Sequence, residues 1–414
     1  MDLRNLPPDL DSFGRVSARR SMIEQELGAD LSALSIDAAK LGHAEEKNCE
    51  NMFGAVPIPV GIAGPLTVTL SDGTETTVYL PLATTEGALV ASVNRGCKAL
   101  QIGSSLSGCG PVRTASKYHG VTRSIAFQTR NQQPVTRNLI QEHEQEWKAV
   151  GEATSSHLKI LSYEIDEKDD HVFLTIAADT DEAMGMNMVT IAAQAIGEWI
   201  ETSFQPHPSA GVVGGVRFIT VAANVDSDKK PSKRTHDKGR GYEASAICNV
   251  PSAIIQDVLK TTPEALLATA KAKLDLGSTL ASALGHNCHA ANIIAALYLA
   301  TGQDVAHVVE GSLADTTVIE MRNSEFGIRD LQISTRLPAL MIGIRGGGTT
   351  LPAQRQCLNL LLTNNSAFRI PHSELPPCRI LAEVFAAAVL AGELSLLAAQ
   401  SSHTLAKAHK NLGR

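Results

Sequence analysis

From Ala290 to Ala300 the chain reads AANIIAALYLA, in which Asn292 is the one strongly polar residue. A helix that is apolar on every side belongs inside a protein. The run is far shorter than the roughly 20 apolar residues needed to cross a bilayer. It therefore predicts a buried core helix around which the chain must be organised. Asn292 lies in it, and Asp304 follows just after Gly302. A carboxylate beside a buried helix is costly unless it is paired. Either Asn292 is a satisfied core amide and Asp304 a solvated acid, or Asp304 holds a catalytic cation. The segment alone leaves both open.

A chain of 414 residues has room for two or three domains and a sizeable core. A net charge of −7 argues against general nucleic-acid binding. The seven cysteines are odd in number and none has CxxC spacing, which predicts reduced thiols in a cytoplasmic protein and no metal centre. MDLRNLPPDLDSF carries no apolar signal core, and Glu383 and Glu393 interrupt the Ala-rich segment Leu381–Gln400, so no membrane association is expected.

Residues 1–40 read as a small N-terminal helical piece. CENMFGAVPIPVGIAGPL (Cys49–Leu66) is too rich in Pro and Gly for helix, and is either a structural loop or a rigid wall for a ligand. Leu66–Leu70 and Thr76–Leu80 predict a hairpin around Ser71-Asp72-Gly73. In ATTEGALVASVNRGCKAL, Thr84 or Thr85 caps a helix opening near Glu86, where a glutamate ordinarily serves the helix dipole. Residues 114–221 then read strand–helix–strand–strand–helix–strand, the βαββαβ order of a ferredoxin-like unit inserted in a larger domain formed by 41–113 and 222–400.

DEAMGMNMV opens the second helix of this insert, and Gly185 there suits an anion at a helix N-terminus. It is not a GxGxxG motif, so a Rossmann fold is not supported. Met184, Met186 and Met188 are either core filler or a flat apolar bed for a ring. Six basic residues between Lys229 and Arg240 form either a solvated surface loop or a trap for an anionic substrate. Pro263 after Thr261-Thr262 predicts a capped helix start. Gly346–Gly348 predicts a tight turn or close approach to a ligand. A last long helix covers about 376–400, and 401–414 is a tail bearing His403 and His409.

Together, ENMFGAVPIPVGIAGPL, TTEGALVASVNRGC, DEAMGMNM, DKKP, HAANIIAALYLATGQD and GGGTTLP resemble 3-hydroxy-3-methylglutaryl-CoA reductases from about residue 15 onward. DKKP and AMGMNM look like the biosynthetic, class I type. The resemblance implies an α+β architecture: a large α/β domain around a central buried helix, with an inserted ferredoxin-like NADP-binding domain. It also implies a homodimer with active sites between subunits, usually paired again into a tetramer. ENMFG falls at that dimer contact in relatives.

Carried over by motif, the catalytic residues are Glu86, Lys229, Asp304 and His409. Ser92, Asn94, Arg95 and Lys260 fall where relatives contact CoA. Arg113, Asp228, Lys230, Lys273 and Asn292 match positions that hold the hydroxymethylglutaryl end. Glu182, Ala183, Met184, Gly185, Met186 and Asn187 match the cofactor segment, with Ser155, Ser156, His157, Gly346 and Gly347 as further cofactor contacts.

The reaction implied takes a thioester to an alcohol, (R)-mevalonate with release of CoA, and so needs two hydrides from two NADPH. Lys229 stabilises the oxyanion of the hemithioacetal, His409 protonates the departing CoA thiolate, and a protonated Glu86 beside Lys229 and Asp304 serves mevaldehyde reduction. NAD-linked oxidation of mevalonate and a non-catalytic CoA-binding role are the competing readings. The chain departs from the pattern at Asp181-Glu182, at Cys288 and across Ser232–Tyr242.

Overall fold

The hairpin around Ser71-Asp72-Gly73 forms from β1 (Val60–Thr69) and β2 (Glu75–Ala83), each longer than the sequence pattern shows. The structure is a computed structural model and describes residues 2–104, 110–129, 133–204, 215–322, 329–362 and 373–403. His409 lies outside the described residues.

β3 (Val112–Gln128) is one strand shared by two sheets. Its first half joins the larger sheet, β2-β1-β3-β7-β9-β8, in which β7 is Gly241–Val250, β8 Asp315–Arg322 and β9 Arg329–Leu340. Pairing there is antiparallel apart from the short parallel β1–β3 contact. Its second half pairs with β5 (His171–Asp179) and β6 (Arg217–Thr220), and β4 (Lys159–Lys168) pairs with β5. Helices Gln133–Glu142 and Glu144–Glu152, then Met186–Ser203, complete the expected βαββαβ order, the first helix being split in two. The α+β architecture expected from the sequence is therefore present. Gly120 (φ +83°) marks the place where β3 leaves one sheet for the other.

The two sheets have separate cores. Ile125, Phe127, Trp147, Leu174 and Ile196 belong to the smaller one. The larger core surrounds the helix Pro377–Ser401, which is buried on every side over nearly its whole length. By length and composition this helix could cross a bilayer, yet 94% of its most apolar window is covered by the rest of the protein. This corrects two expectations. The long axis of the core is this helix, and Ala290–Thr301 packs against it, Tyr298 lying 6.0 Å from Phe385 between ring centres. Glu383 and Glu393 do not interrupt it. Both are fully buried and fully used. Glu383 accepts from the Ser71 amide and from the hydroxyls of Ser71, Thr114 and Ser116. Glu393 accepts from the amides of Cys288 (2.7 Å) and His289 (2.8 Å) and from the Thr316 hydroxyl (2.9 Å). Buried carboxylates persist when donors surround them.

Candidate active site

Asp304 stands at the C-terminal end of the Ala290–Thr301 helix, where Gly302 ends the helix in the left-handed region. Its carboxylate caps the next turn, accepting from the Ala306 amide at 3.1 Å. Its Oδ2 lies 2.8 Å from Lys229 Nζ. Burial works against ionisation of Asp304, but the Lys229 hydrogen bond, the Ala306 amide and nearby His307 hold its pKa below the ordinary carboxylate value. The Asp304 that the sequence left open is thus a paired acid. Lys229 has φ +55°, rare for a side-chain-bearing residue, and its amide donates to buried Glu310 at 3.2 Å.

This pair opens into a cleft of about 910 Å³ lined by the insert on one side and by residues 302–304 and 343–349 on the other. Gly185, at φ +83°, starts the Met186–Ser203 helix facing the cleft, and a Cβ there would lie 2.4 Å from Thr180. Met186 belongs to the small core, whereas Met184 and Met188 are only partly buried. All three line the cleft with Ala183 and Asn187. Ser155 lines it as well, with Ser156 and His157 exposed beside it. Gly346 and Gly347 line it too, and a Cβ at either position would meet no atom within 4 Å, so there is open space above the backbone. Gly348 is there for packing, since a Cβ would lie 2.6 Å from the Gly302 carbonyl oxygen.

Motif reading missed several lining residues: Lys47 and Asn48 from the N-terminal segment, Arg123, Gln303 and Arg345. Gln303 exchanges two hydrogen bonds of 2.9 Å with the backbone of Gly343, which fixes the glycine turn. Its place in the GQD motif was the available signal.

Glu86 is elsewhere. The helix Leu89–Ser104 opens after it, so Glu86 is an exposed loop residue and not part of a first turn. It accepts from the Asn292 side chain at 3.2 Å. Asn292 sits near the start of the 12-residue helix whose far end leads to Asp304, a span of about 18 Å at 1.5 Å per residue. The expectation that Glu86 stands beside Lys229 and Asp304 is therefore not met within one chain. Lys273 lies within electrostatic reach of Cys288, whose thiol is pushed up by burial and by Glu393.

The residues expected at CoA divide. Arg95 is half-buried, its guanidinium on the carbonyl and hydroxyl of Ser395 in the central helix. Ser92 meets the same Ser395 hydroxyl at 3.0 Å. Asn94 accepts from the Gly64 amide at 3.0 Å. These three have structural partners in this chain, whereas Lys260 (φ +60°) and Arg113 are exposed. Asp228 is engaged by Arg240 (2.9 Å) and Arg123 (3.3 Å), and Lys230 is exposed, donating to the Asp228 carbonyl at 3.1 Å. In the basic loop, Arg234 and Lys238 pair with Glu164 on β4, Lys233 pairs with Asp237, and Arg240 is buried. These four side chains have acidic partners within the chain.

Residues 15–414 match the family model described as hydroxymethylglutaryl-coenzyme A reductase. The chain belongs to that family. It is 37% identical to the 3-hydroxy-3-methylglutaryl-coenzyme A reductase of Halobacterium salinarum, over 100% of this chain and 96% of the relative. It is 38% identical to that of Aeropyrum pernix, over 96% of this chain and 89% of the relative. Among solved structures it is similar to the class II 3-hydroxy-3-methylglutaryl-CoA reductase of Streptococcus pneumoniae bound to NADPH, with TM-score 0.62 and 16% identity over 92% of this chain and 96% of that one. At that identity the likeness concerns the reductase fold alone.

Proposed function

We propose that the chain reduces 3-hydroxy-3-methylglutaryl-CoA to mevalonate and free CoA with two NADPH. The observation that carries this reading is the Lys229–Asp304 ion pair at 2.8 Å in the floor of a glycine-lined cleft. The Met186–Ser203 helix start, the partly buried Met184 and Met188, and the bare Gly346–Gly347 backbone suit a dinucleotide there. NADPH, when bound, supplies the hydrides. Residues 114–221 are then the nucleotide-binding unit.

In the chain's own chemistry, Lys229 presents an ammonium to the oxygen that gains charge when the thioester carbonyl becomes tetrahedral. Asp304 keeps that ammonium aimed. Glu86, oriented by Asn292, supplies a proton to that same oxygen when mevaldehyde is reduced to the alcohol, and His409 protonates the CoA thiolate.

These roles require Glu86 to meet Lys229, and one chain keeps them apart. A second copy resolves this. Val56, Val60 and Ile62 are 75%, 55% and 56% exposed, in the stretch that leads to Glu86. Pro59, Val60 and Gly61 line the same shallow hollow as Glu86. An exposed apolar row beside half of a site is suited to a homodimer in which each site takes Glu86 from one chain and Lys229 with Asp304 from the other. Pairing of dimers into a tetramer extends the same reading. DKKP and AMGMNM favour the biosynthetic class, and the relationship to the class II structure carries the fold only. The deciding test is NADPH oxidation by purified protein with HMG-CoA, run against NADH. Absence of turnover with either cofactor would end the enzymatic reading.

A further inference from the structure

Behind Lys229 and Asp304 lies a buried ionic cluster that the motifs do not assign. His307, Glu310 and Arg240 are buried, with 0%, 0% and 1% of their surfaces exposed. Glu310 Oε1 lies 2.8 Å from His307 Nδ1 and 2.8 Å from Arg240 Nη1, and accepts the Lys229 amide at 3.2 Å. A carboxylate paired with arginine only accepts, so Nδ1 of His307 must carry a proton. His307 Nε2 has no hydrogen-bond partner among the described residues. It faces Asp304 Oδ2 at 3.6 Å, the same oxygen that holds Lys229 from the cleft side.

A bare Nε2 there would set a lone pair against a carboxylate where water cannot intervene. A second proton turns that opposition into a charge-assisted contact, completed by a small turn of Asp304. The groups around the ring are Asp304 and Glu310 from its own segment and Asp228 at 4.0 Å, with Lys229 beyond Asp304 and Arg240 beyond Glu310. Tyr298, on the neighbouring helix, lies within electrostatic reach of both Glu310 and Asp304. Asp228, His307 and Glu310 also have metal-ligand character, but Arg240 Nη1 bridges the two acids at 2.9 and 2.8 Å and occupies the cation's place.

We propose that His307 is protonated on both ring nitrogens in the working site and is the positioning residue that fixes Asp304 for Lys229. This rests on the reading of Lys229 and Asp304 as the reacting pair. A carboxylate gripped from the interior by a rigid imidazolium holds the ammonium at one point of the cleft.

The experiment is nitrogen NMR of the full chain labelled with ¹⁵N-histidine, the His307 signal being assigned by its loss in His307→Gln. Both ring nitrogens should be protonated at the pH of maximal turnover, and Glu310→Gln should shift His307 toward a neutral ring. In His307→Gln, kcat should fall about 10- to 100-fold, the size of a lost hydrogen bond to a charged group. KM for HMG-CoA should stay within about 2-fold. A neutral His307 ring in the parent, or parental kcat in a folded His307→Gln variant, overturns the proposal. The NMR result does not depend on turnover and can be read at neutral pH, so an inactive parent chain defeats the functional reading while the proton assignment is still decided.

Discussion

The side-chain carboxylate of Glu182 accepts the amide hydrogen of Cys378 at 2.9 Å. It thereby closes an open donor in the first turn of the central helix. The carbonyl of the same residue accepts from Ile344 (2.9 Å) and Arg345 (3.2 Å), on the segment leading to the glycine turn. Glu182 was expected at the cofactor. Its carboxylate is instead committed to a helix end, and it joins the insert to the larger core.

Removing this cap should therefore be felt in stability. Glu182→Ala should lose about 1 kcal/mol, as lost helix caps do, measured as a lower urea midpoint. KM for NADPH should move less than about 3-fold. A large KM effect with unchanged stability would restore the cofactor role.

Complementation can locate the two halves of the site. Glu86→Gln and Lys229→Ala should each be nearly inactive as homodimers. Mixed and refolded together, they should regain about a quarter of parental activity, because half the dimers are mixed and each has one intact site. No recovery in mixtures shown to contain heterodimers would place the whole site within one chain.

The N-terminal segment that brings Lys47 and Asn48 to the cleft should be acid-sensitive. The hydrogen bond from Arg15, opposed by burial and reinforced by Arg19, holds the Glu45 carboxyl at about 2, against an ordinary 4.5. A depressed folded value means the contribution is complete above pH 4.5 and fades as pH falls toward 2. Urea midpoints between these limits should fall more steeply for the parent than for Glu45→Gln. Parallel pH curves would show that the Arg15–Glu45–Arg19 contact contributes nothing.

Gly302 should tolerate no side chain. A Cβ would lie 2.3 Å from the Gly348 carbonyl oxygen, and φ is +73°. Gly302→Ala should cost about 1–3 kcal/mol and lower kcat, because the shift would displace both Asp304 and the glycine turn. Thermal unfolding and steady-state rates check the two effects separately.

What the sequence disclosed was local. Alternating residues around Ser71-Asp72-Gly73 gave away the hairpin, and Thr262 does cap the helix at Pro263, accepting from Ala265 at 3.2 Å. The βαββαβ order was legible because each element carries its own periodicity. The partners of Glu383 and Glu393 were not, since Ser71, Thr114, Ser116, Cys288 and Thr316 meet those acids only through the fold. Two acids in an apolar run therefore looked like interruptions. The Lys229–Asp304 contact followed from motif resemblance, but motifs carry no distances, and Glu86 was placed beside them when one chain holds it apart. Arg95 was assigned outward to a ligand because nothing in its helix announces Ser395, some 300 residues later.

β3 runs unbroken from the larger sheet into the smaller one. The insert is thus mounted on a continuous hydrogen-bonded ribbon and not on a flexible tether. A free swivel would tear backbone pairs from β5 or β7, so any widening of the cleft must come from twisting this ribbon about its own length, near Gly120. Such a mount behaves as a torsion spring: it permits small rotations, resists large ones, and returns the insert to the same alignment across the cleft.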